Sequence, residues 1–455
     1  MLPFAHTIEE FTKKLKEKLG VRLNGWVVFL LGSWTLLVSY VFMPSVVSFA
    51  ISLALFIAPV WLPFLLVGGS TQLRLILKQS EFIFSQKNIL LEIKPPRNLV
   101  KTPLAMETFL SAMHFSPGEG NWYVKWLGRM RPWWSLEIAS FEGQVHFFIW
   151  SRESYRRIIE SQMYAQYPGV QITEAPDYTR FISATPEEWS MWGCDFKKIK
   201  EENALPIKTY VEYGLDKIQK EPEQVDPLAN IIEFLASAGK GEYVWLQFVM
   251  RVHKGEKYHP KKNAKGKDFT WIDEAKEMVE KIREETRSKY VDPETKKEMP
   301  GFPNPTKGQM EMMAAIERNV SKLAFDVGGR CIYIAKPEKF NPIMITHIMG
   351  LFKPFNSEGW NGLKGSGWLT RFDDYPWEFR VEKLKDHYRT ALVQAFRRRQ
   401  FFFEPFSYGI EPDEIMVMST EELATIYHIP SLAVETPSLA RITSATGEAP
   451  VNLPT

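Results

Sequence analysis

Cysteine is scarce in this chain, with only Cys194 and Cys331 among 455 residues. No Cys-x-x-Cys pair and no Cys/His cluster occurs, which excludes a zinc ribbon or finger and gives no support to a disulfide framework. A reducing compartment fits two isolated thiols. Net charge is also lacking: 56 Lys and Arg stand against 54 Asp and Glu, unlike the strongly basic domain of a dedicated nucleic-acid binder. Gly-x-x-x-x-Gly-Lys-Ser/Thr is absent. The nearest echo, Ala238-Gly239-Lys240-Gly241, lacks the first glycine and the hydroxyl residue that a phosphate cradle needs. Gly362–Gly367 reads as a loop. The eight histidines are scattered without His-Glu-x-x-His spacing, and no Gly-x-Ser-x-Gly elbow is present. Cys194 stands without a base signature. No enzyme, cofactor or metal is therefore expected.

The longest absence is of charge. Between Arg22 and Arg74 lie 51 residues without Asp, Glu, Lys, Arg or His. A spanning helix takes about 20 apolar residues, so residues 23–73 predict a transmembrane hairpin, with spans at about 25–43 and 46–67. Met43-Pro44-Ser45 supplies the break, and Pro59 and Pro63 predict kinks in the second span. Trp26, Tyr40 and Trp61 suit interface depth. The run is too long for a cleaved leader. Lys13, Lys14, Lys16, Lys18 and Arg22 precede it, and Arg74, Lys78 and Lys87 follow. That bias predicts an inner-membrane protein with both termini cytoplasmic.

Beyond the run, alternation and helical periodicity take over. Residues 89–94 read as a strand, a helix opens at Thr102-Pro103, 133–150 form a hairpin turning at Glu142-Gly143, and a helix at 153–167 leads to a strand at 170–173. That order is β-α-β-β-α-β, the ferredoxin-like split unit. A second block repeats the outline: a strand at 243–252, helices at 272–290 and 309–325, a strand at 330–335 and a helix at 342–352. The expected fold class is α+β: a two-helix transmembrane hairpin, then a cytoplasmic region of duplicated ferredoxin-like α/β sandwich modules. The expected divisions are a basic N-terminus (1–22), the hairpin (23–73), a first module (74–180), a connecting region (181–240), a second module (241–430) and an extended tail (431–455).

Two basic clusters stand out. Arg397, Arg398 and Arg399 end a helix whose stripe is Val381, Leu384, Tyr388 and Leu392, where cations suit the helix C-terminus. Lys261, Lys262, Lys265 and Lys267 lie in a polar loop. Both read as solvated surface or as contacts for a polyanion or an acidic partner; nucleic acid has no further support.

Several phrases occur together: Leu91-Glu92-Ile93-Lys94-Pro95-Pro96, Thr102 to Glu107, Ser135 to Ile138, Glu160 to Pro168, Gly241 to Gln247, Thr420 to Pro430, and Thr436 to Arg441. Over residues 20–445 the chain resembles the N-terminal membrane-anchored region of type IV secretion and conjugation ATPases of the VirD4/TraG kind, in the branch common among candidate-phyla bacteria. The resemblance implies a non-catalytic subunit of a DNA or protein transfer apparatus. The motor domain of that family has no counterpart here, which implies a separately encoded P-loop ATPase as partner, besides the lipid bilayer and a homo-oligomer. A membrane scaffold unrelated to secretion is the alternative.

Overall fold

The computed structural model describes residues 25–430, apart from 97–98, 117–119, 184–187, 218–224, 255–262, 264–265, 268, 292–297, 373–380, 404–405, 411 and 413–414. The chain forms two compact units, Met1–Leu75 and Ile76–Thr455.

In place of two helices, residues 25–85 form three: α1 (Gly25–Phe42), α2 (Pro44–Phe56) and α3 (Ala58–Ser85). The first break falls where Pro44 opens α2. A second follows because Pro59, at the second position of α3, cannot continue a helix begun upstream: its ring would strike the carbonyl four residues back. α3 then runs through Pro63 and past Arg74 and Lys78. Among the described residues no single helix is long and apolar enough to cross a membrane. Only a pair bent by 61°, Pro44–Val60 with Leu62–Ser85, meets length and composition together. The expected hairpin of two spans, and the inner-membrane location with cytoplasmic termini that rested on it, are corrected by this finding.

The second unit is built on one antiparallel sheet. Its first four strands are β1 (Asn88–Lys94), β2 (Trp133–Phe141), β3 (Gln144–Arg152) and β4 (Gln171–Ala175). They are followed by β5 (Ser190–Lys198), β6 (Glu242–Val252), β9 (Ala324–Ala335) and β10 (Leu363–Ser366). A separate hairpin pairs β7 (Arg287–Val291) with β8 (Glu298–Pro303), and β11 (Met416–Ser419) joins β9. The order across the sheet is β10-β5-β9-β6-β2-β3-β1-β4. The first four strands in chain order lie as β4-β1-β3-β2, and the sequence of positions recurs as β10-β5-β9-β6.

The expectation of separate ferredoxin-like sandwiches behind a hairpin is corrected here too. β2 and β6, which would be outer edges of two modules, pair with each other over nine residues from Trp133↔Arg251 to Phe141↔Tyr243. The sheet is therefore continuous. It is also covered on both faces, because strand alternation sends apolar residues each way. Leu136, Ile138, Phe147, Leu246 and Phe248 meet α4 (Leu104–Ala112), α6 (Arg156–Gln166), α7 (Pro227–Ala236) and α10 (Ile343–Met349). Trp133, Phe148, Trp245, Val249 and Ile332 face α11 (Val381–Arg397) with Trp368 and Phe401.

The halves differ in one connection. β2 and β3 turn through Glu142 and Gly143, both at positive φ (52° and 89°), as a two-residue hairpin with right-handed twist requires. Residues 253–323 stand at the matching place between β6 and β9. They hold α8 (Trp271–Glu285), the β7–β8 hairpin and α9 (Lys307–Ser321), around a small core of Ala275, Val279 and Ile316 with Ala204 and Leu205. Each helix opens on a capping box, Thr270 with Asp273 and Thr306 with Gln309.

β9 carries a local test of this packing. Gly328 lies flat beneath the Phe401 ring, and a Cβ there would overlap ring carbons. Gly328→Ala is expected to cost about 1–3 kcal/mol by overpacking, read as a lower urea midpoint; an unchanged midpoint would show that Phe401 is free to move.

Candidate functional site

Four neighbouring strands place one polar side chain each at the same level of the sheet, on the α11 side. Glu137 of β2 lies opposite Gln247 of β6, Gln247 opposite Arg330 of β9, and Arg330 opposite Asp195 of β5. All four are fully buried. Arg330 Nε stands 3.4 Å from Asp195 Oδ1, and its guanidinium lies 4.9 Å from the Phe401 ring centroid. Burial lowers its proton affinity, and Asp195 opposes that.

Glu137 gathers donors at one end of the row. Ser135 Oγ and Tyr178 Oη each donate at 2.7 Å, Gln247 Nε2 at 3.0 Å, and Arg399 Nε and Nη2 at 2.9 and 3.1 Å. Arg399 also donates from Nη1 to Asp177 Oδ2 at 2.7 Å. Burial alone would raise the Asp177 carboxyl, but the Arg399 charge and hydrogen bonds outweigh it and hold the group below the usual carboxylate range.

Why an arginine sits there follows from the helix end. The Gln400 N–H donates to Ala395 O and the Arg399 N–H to Phe396 O, the paired bonds of a Schellman cap whose αL residue is usually glycine. Arg399 takes that place at φ 48°. The left-handed conformation costs a non-glycine residue about 1–2 kcal/mol, and the charge-assisted bonds to Glu137 and Asp177 offset it.

The triplet therefore divides into three roles. Arg399 is fully buried and offers nothing to an outside anion. Arg397 donates from Nε to Thr179 O at 2.9 Å and from Nη2 to Ile182 O. Arg398 points outward, exposed. Among the described residues no side-chain hydrogen bond or ion pair engages its guanidinium. Of the lysine cluster, Lys261, Lys262 and Lys265 lie outside the described residues. Lys267 is exposed in a turn closed by its own carbonyl accepting from the Asn263 N–H at 2.9 Å.

Beside Arg398 opens a groove of about 510 Å³. Its floor includes the start of β1 (Asn88–Leu90) and the end of β4 (Glu174 and Ala175). One wall is Ile83 and Phe84 of α3 with Gln86 just past its end; the other is Arg397, Arg398, Gln400 and Phe403, with Trp150, Arg180 and Asp177 also lining the groove. The Arg180 side chain is largely exposed, with Asp177 Oδ2 at 4.0 Å. Sequence reasoning missed Arg180, which lies more than 200 residues from the triplet. It also missed the buried row, although a lone polar residue inside an apolar strand, such as Gln247 within Trp245 to Met250, was a visible signal.

Comparison with known proteins gives three findings. The family model of a domain of unknown function (DUF8128) matches residues 69–441. No curated protein matches. Among solved structures, a xylooligosaccharide oxidase from Myceliophthora thermophila C1 in complex with xylobiose aligns with 10% identity and a TM-score of 0.24. The alignment covers 72% of this chain and 56% of the oxidase. This neighbour is an enzyme, against the expectation that the chain is none. At that TM-score it assigns no activity here.

Proposed function

The chain belongs to the DUF8128 family, a domain of unknown function, and on that premise we propose that it is a docking subunit of a DNA or protein transfer apparatus whose arginine groove receives an acidic segment of a separately encoded P-loop motor. The observation that carries this reading is the Arg398 guanidinium, outward and without an internal side-chain partner among the described residues, beside Arg180 at a groove with an apolar wall. A cation left free at the mouth of a concave site is available for a charge-assisted bond to a carboxylate. Phe84, Phe403 and Ile83 give apolar contact for the side chains around it.

The groove also carries Glu174 and Asp177. Two carboxylates among the arginines disfavour the repeating charge of a nucleic-acid backbone and suit a protein segment of mixed character. The resemblance to secretion and conjugation ATPases supports the choice of partner.

The test is a titration of the full chain with purified P-loop ATPases of the VirD4/TraG kind from the same cell. Arg398→Glu is expected to weaken the complex at least tenfold, about 1.4 kcal/mol, without changing the fold, because Arg398 is exposed. Equal affinity for the variant, or no complex, overturns the reading. Binding of single-stranded DNA with a steep fall in added salt would replace it with a nucleic-acid site.

A further inference from the structure

We infer, building on the docking role just proposed, that the partner segment binds as an added β-strand along the outer edge of β4, with its acidic residue passing into the arginine groove. The two ends of the sheet occupy corresponding places in the repeated strand order, yet they are finished differently. At the β10 end the side chain of Asn356 closes the edge: the Leu363 N–H donates to Asn356 Oδ1 at 2.9 Å, and Asn356 Nδ2 donates to Leu363 O at 3.3 Å. At the other end β4 has one neighbour, β1, in the register Leu90↔Ala175 to Lys94↔Gln171. Among the described residues no side chain or loop hydrogen-bonds the outward N–H and C=O groups of Gln171–Ala175.

An open edge is a template for pairing, and proteins block it with proline, lysine or a covering segment when pairing is unwanted. The sequence of β4, Gln-Ile-Thr-Glu-Ala, contains neither proline nor lysine, and its one charge, Glu174, is taken up by Arg156. A strand laid on such an edge gains its affinity from main-chain bonds and its specificity from side-chain pockets.

Charge complementarity settles what kind of strand. Glu174 is engaged by Arg156 at 2.6 Å, while Ala175 at the end of β4 borders the groove where Arg398 presents a guanidinium unpaired among the described residues and Arg180 a largely exposed one, 4.0 Å from Asp177. At about 3.3 Å per residue, a segment paired along all of β4 ends beside Ala175, at the groove that Arg398 and Arg180 line. The occupant is therefore an extended stretch of the motor with β-forming residues and an aspartate or glutamate at the groove end.

Hydrogen–deuterium exchange of the full chain, with and without purified P-loop ATPases of the VirD4/TraG kind from the same cell, tests this. Amide exchange within Gln171–Ala175 is expected to slow at least tenfold in the complex, and the protection should vanish with Arg398→Glu at concentrations where that complex dissociates. A complex that forms, depends on Arg398 and leaves β4 exchange unchanged overturns the added strand and keeps the docking role. If no complex forms, the docking role fails and the added strand fails with it.

Discussion

Replacing Arg399 with methionine is expected to lower the free energy of unfolding by about 3–5 kcal/mol, the range for breaking a buried ion pair by removing one partner. The cost comes from what is left behind. Glu137 has no exposure, so its carboxylate would keep only the hydroxyls of Ser135 and Tyr178 and the Gln247 amide. Asp177 would lose the charge that keeps it ionised against burial. Relief of the left-handed backbone does not help, because methionine suffers the same strain at φ 48°. Urea unfolding measures it. Replacing Glu137, Asp177 and Arg399 together by apolar residues should recover much of the loss. A single variant within about 0.5 kcal/mol of the wild type, the usual range for a surface change, would show that the network adds nothing net.

The other large effect depends on pH. His428 follows α12 (Thr420–Ile426) and is fully enclosed. Its Nδ1 lies 2.9 Å from Ala424 O and its Nε2 2.9 Å from Asp226 Oδ2. A carbonyl and a carboxylate only accept, so both ring nitrogens must carry protons. Burial opposes that charge, but Asp226 and the hydrogen bonds outweigh it and raise the histidine above its ordinary value. The Asp226 carboxyl, its side chain largely buried, would be raised by that burial, but His428 and its hydrogen bond hold it below its ordinary value.

A raised histidine contributes stability in full below its unfolded value of about 6.5 and loses it as pH climbs through the folded value. A depressed aspartate contributes above its unfolded value of about 3.9 and loses it as pH falls through the folded one. The pair thus stabilises most between about pH 4 and 6.5. Asp226→Asn should cost about 3–5 kcal/mol at pH 6, and His428→Gln should flatten the decline seen in urea midpoints from pH 6 to 8.5. An equally steep decline in the glutamine variant would place the titration elsewhere.

Much of the sheet was readable because β1, β2, β3 and β6 are runs rich in apolar, β-branched and aromatic residues, the composition of strands buried on both faces. β9 was read six residues short: it begins at Ala324, but Asp326 and the Gly328-Gly329 pair look like a turn. Tertiary contacts make sense of both. Asp326 is engaged by Arg251 and His253, and Gly328 makes room for Phe401. β5 passed as a connection because Gly193 and Asp195 interrupt its pattern; each answers to a neighbour, Leu392 and Arg330. The hairpin of two spans failed because the absence of charge fixes hydropathy but not where a helix breaks.

For the site, the sequence marked Arg397–Arg399 as one cationic surface. Which arginine faces inward is decided by the αL turn at Arg399, and no local pattern shows it. Arg180 reaches the groove only through folding.

The nine-residue seam between β2 and β6 has a mechanical consequence. A protein with two repeated halves is usually pictured as a clam, able to close on what it holds. Here any swing of one half of the sheet against the other would tear a ladder of backbone bonds at its middle, so the β2–β6 seam holds the two halves of this sheet as one piece. A partner bound at the β4 rim therefore meets a sheet that cannot answer by closing two lobes on it.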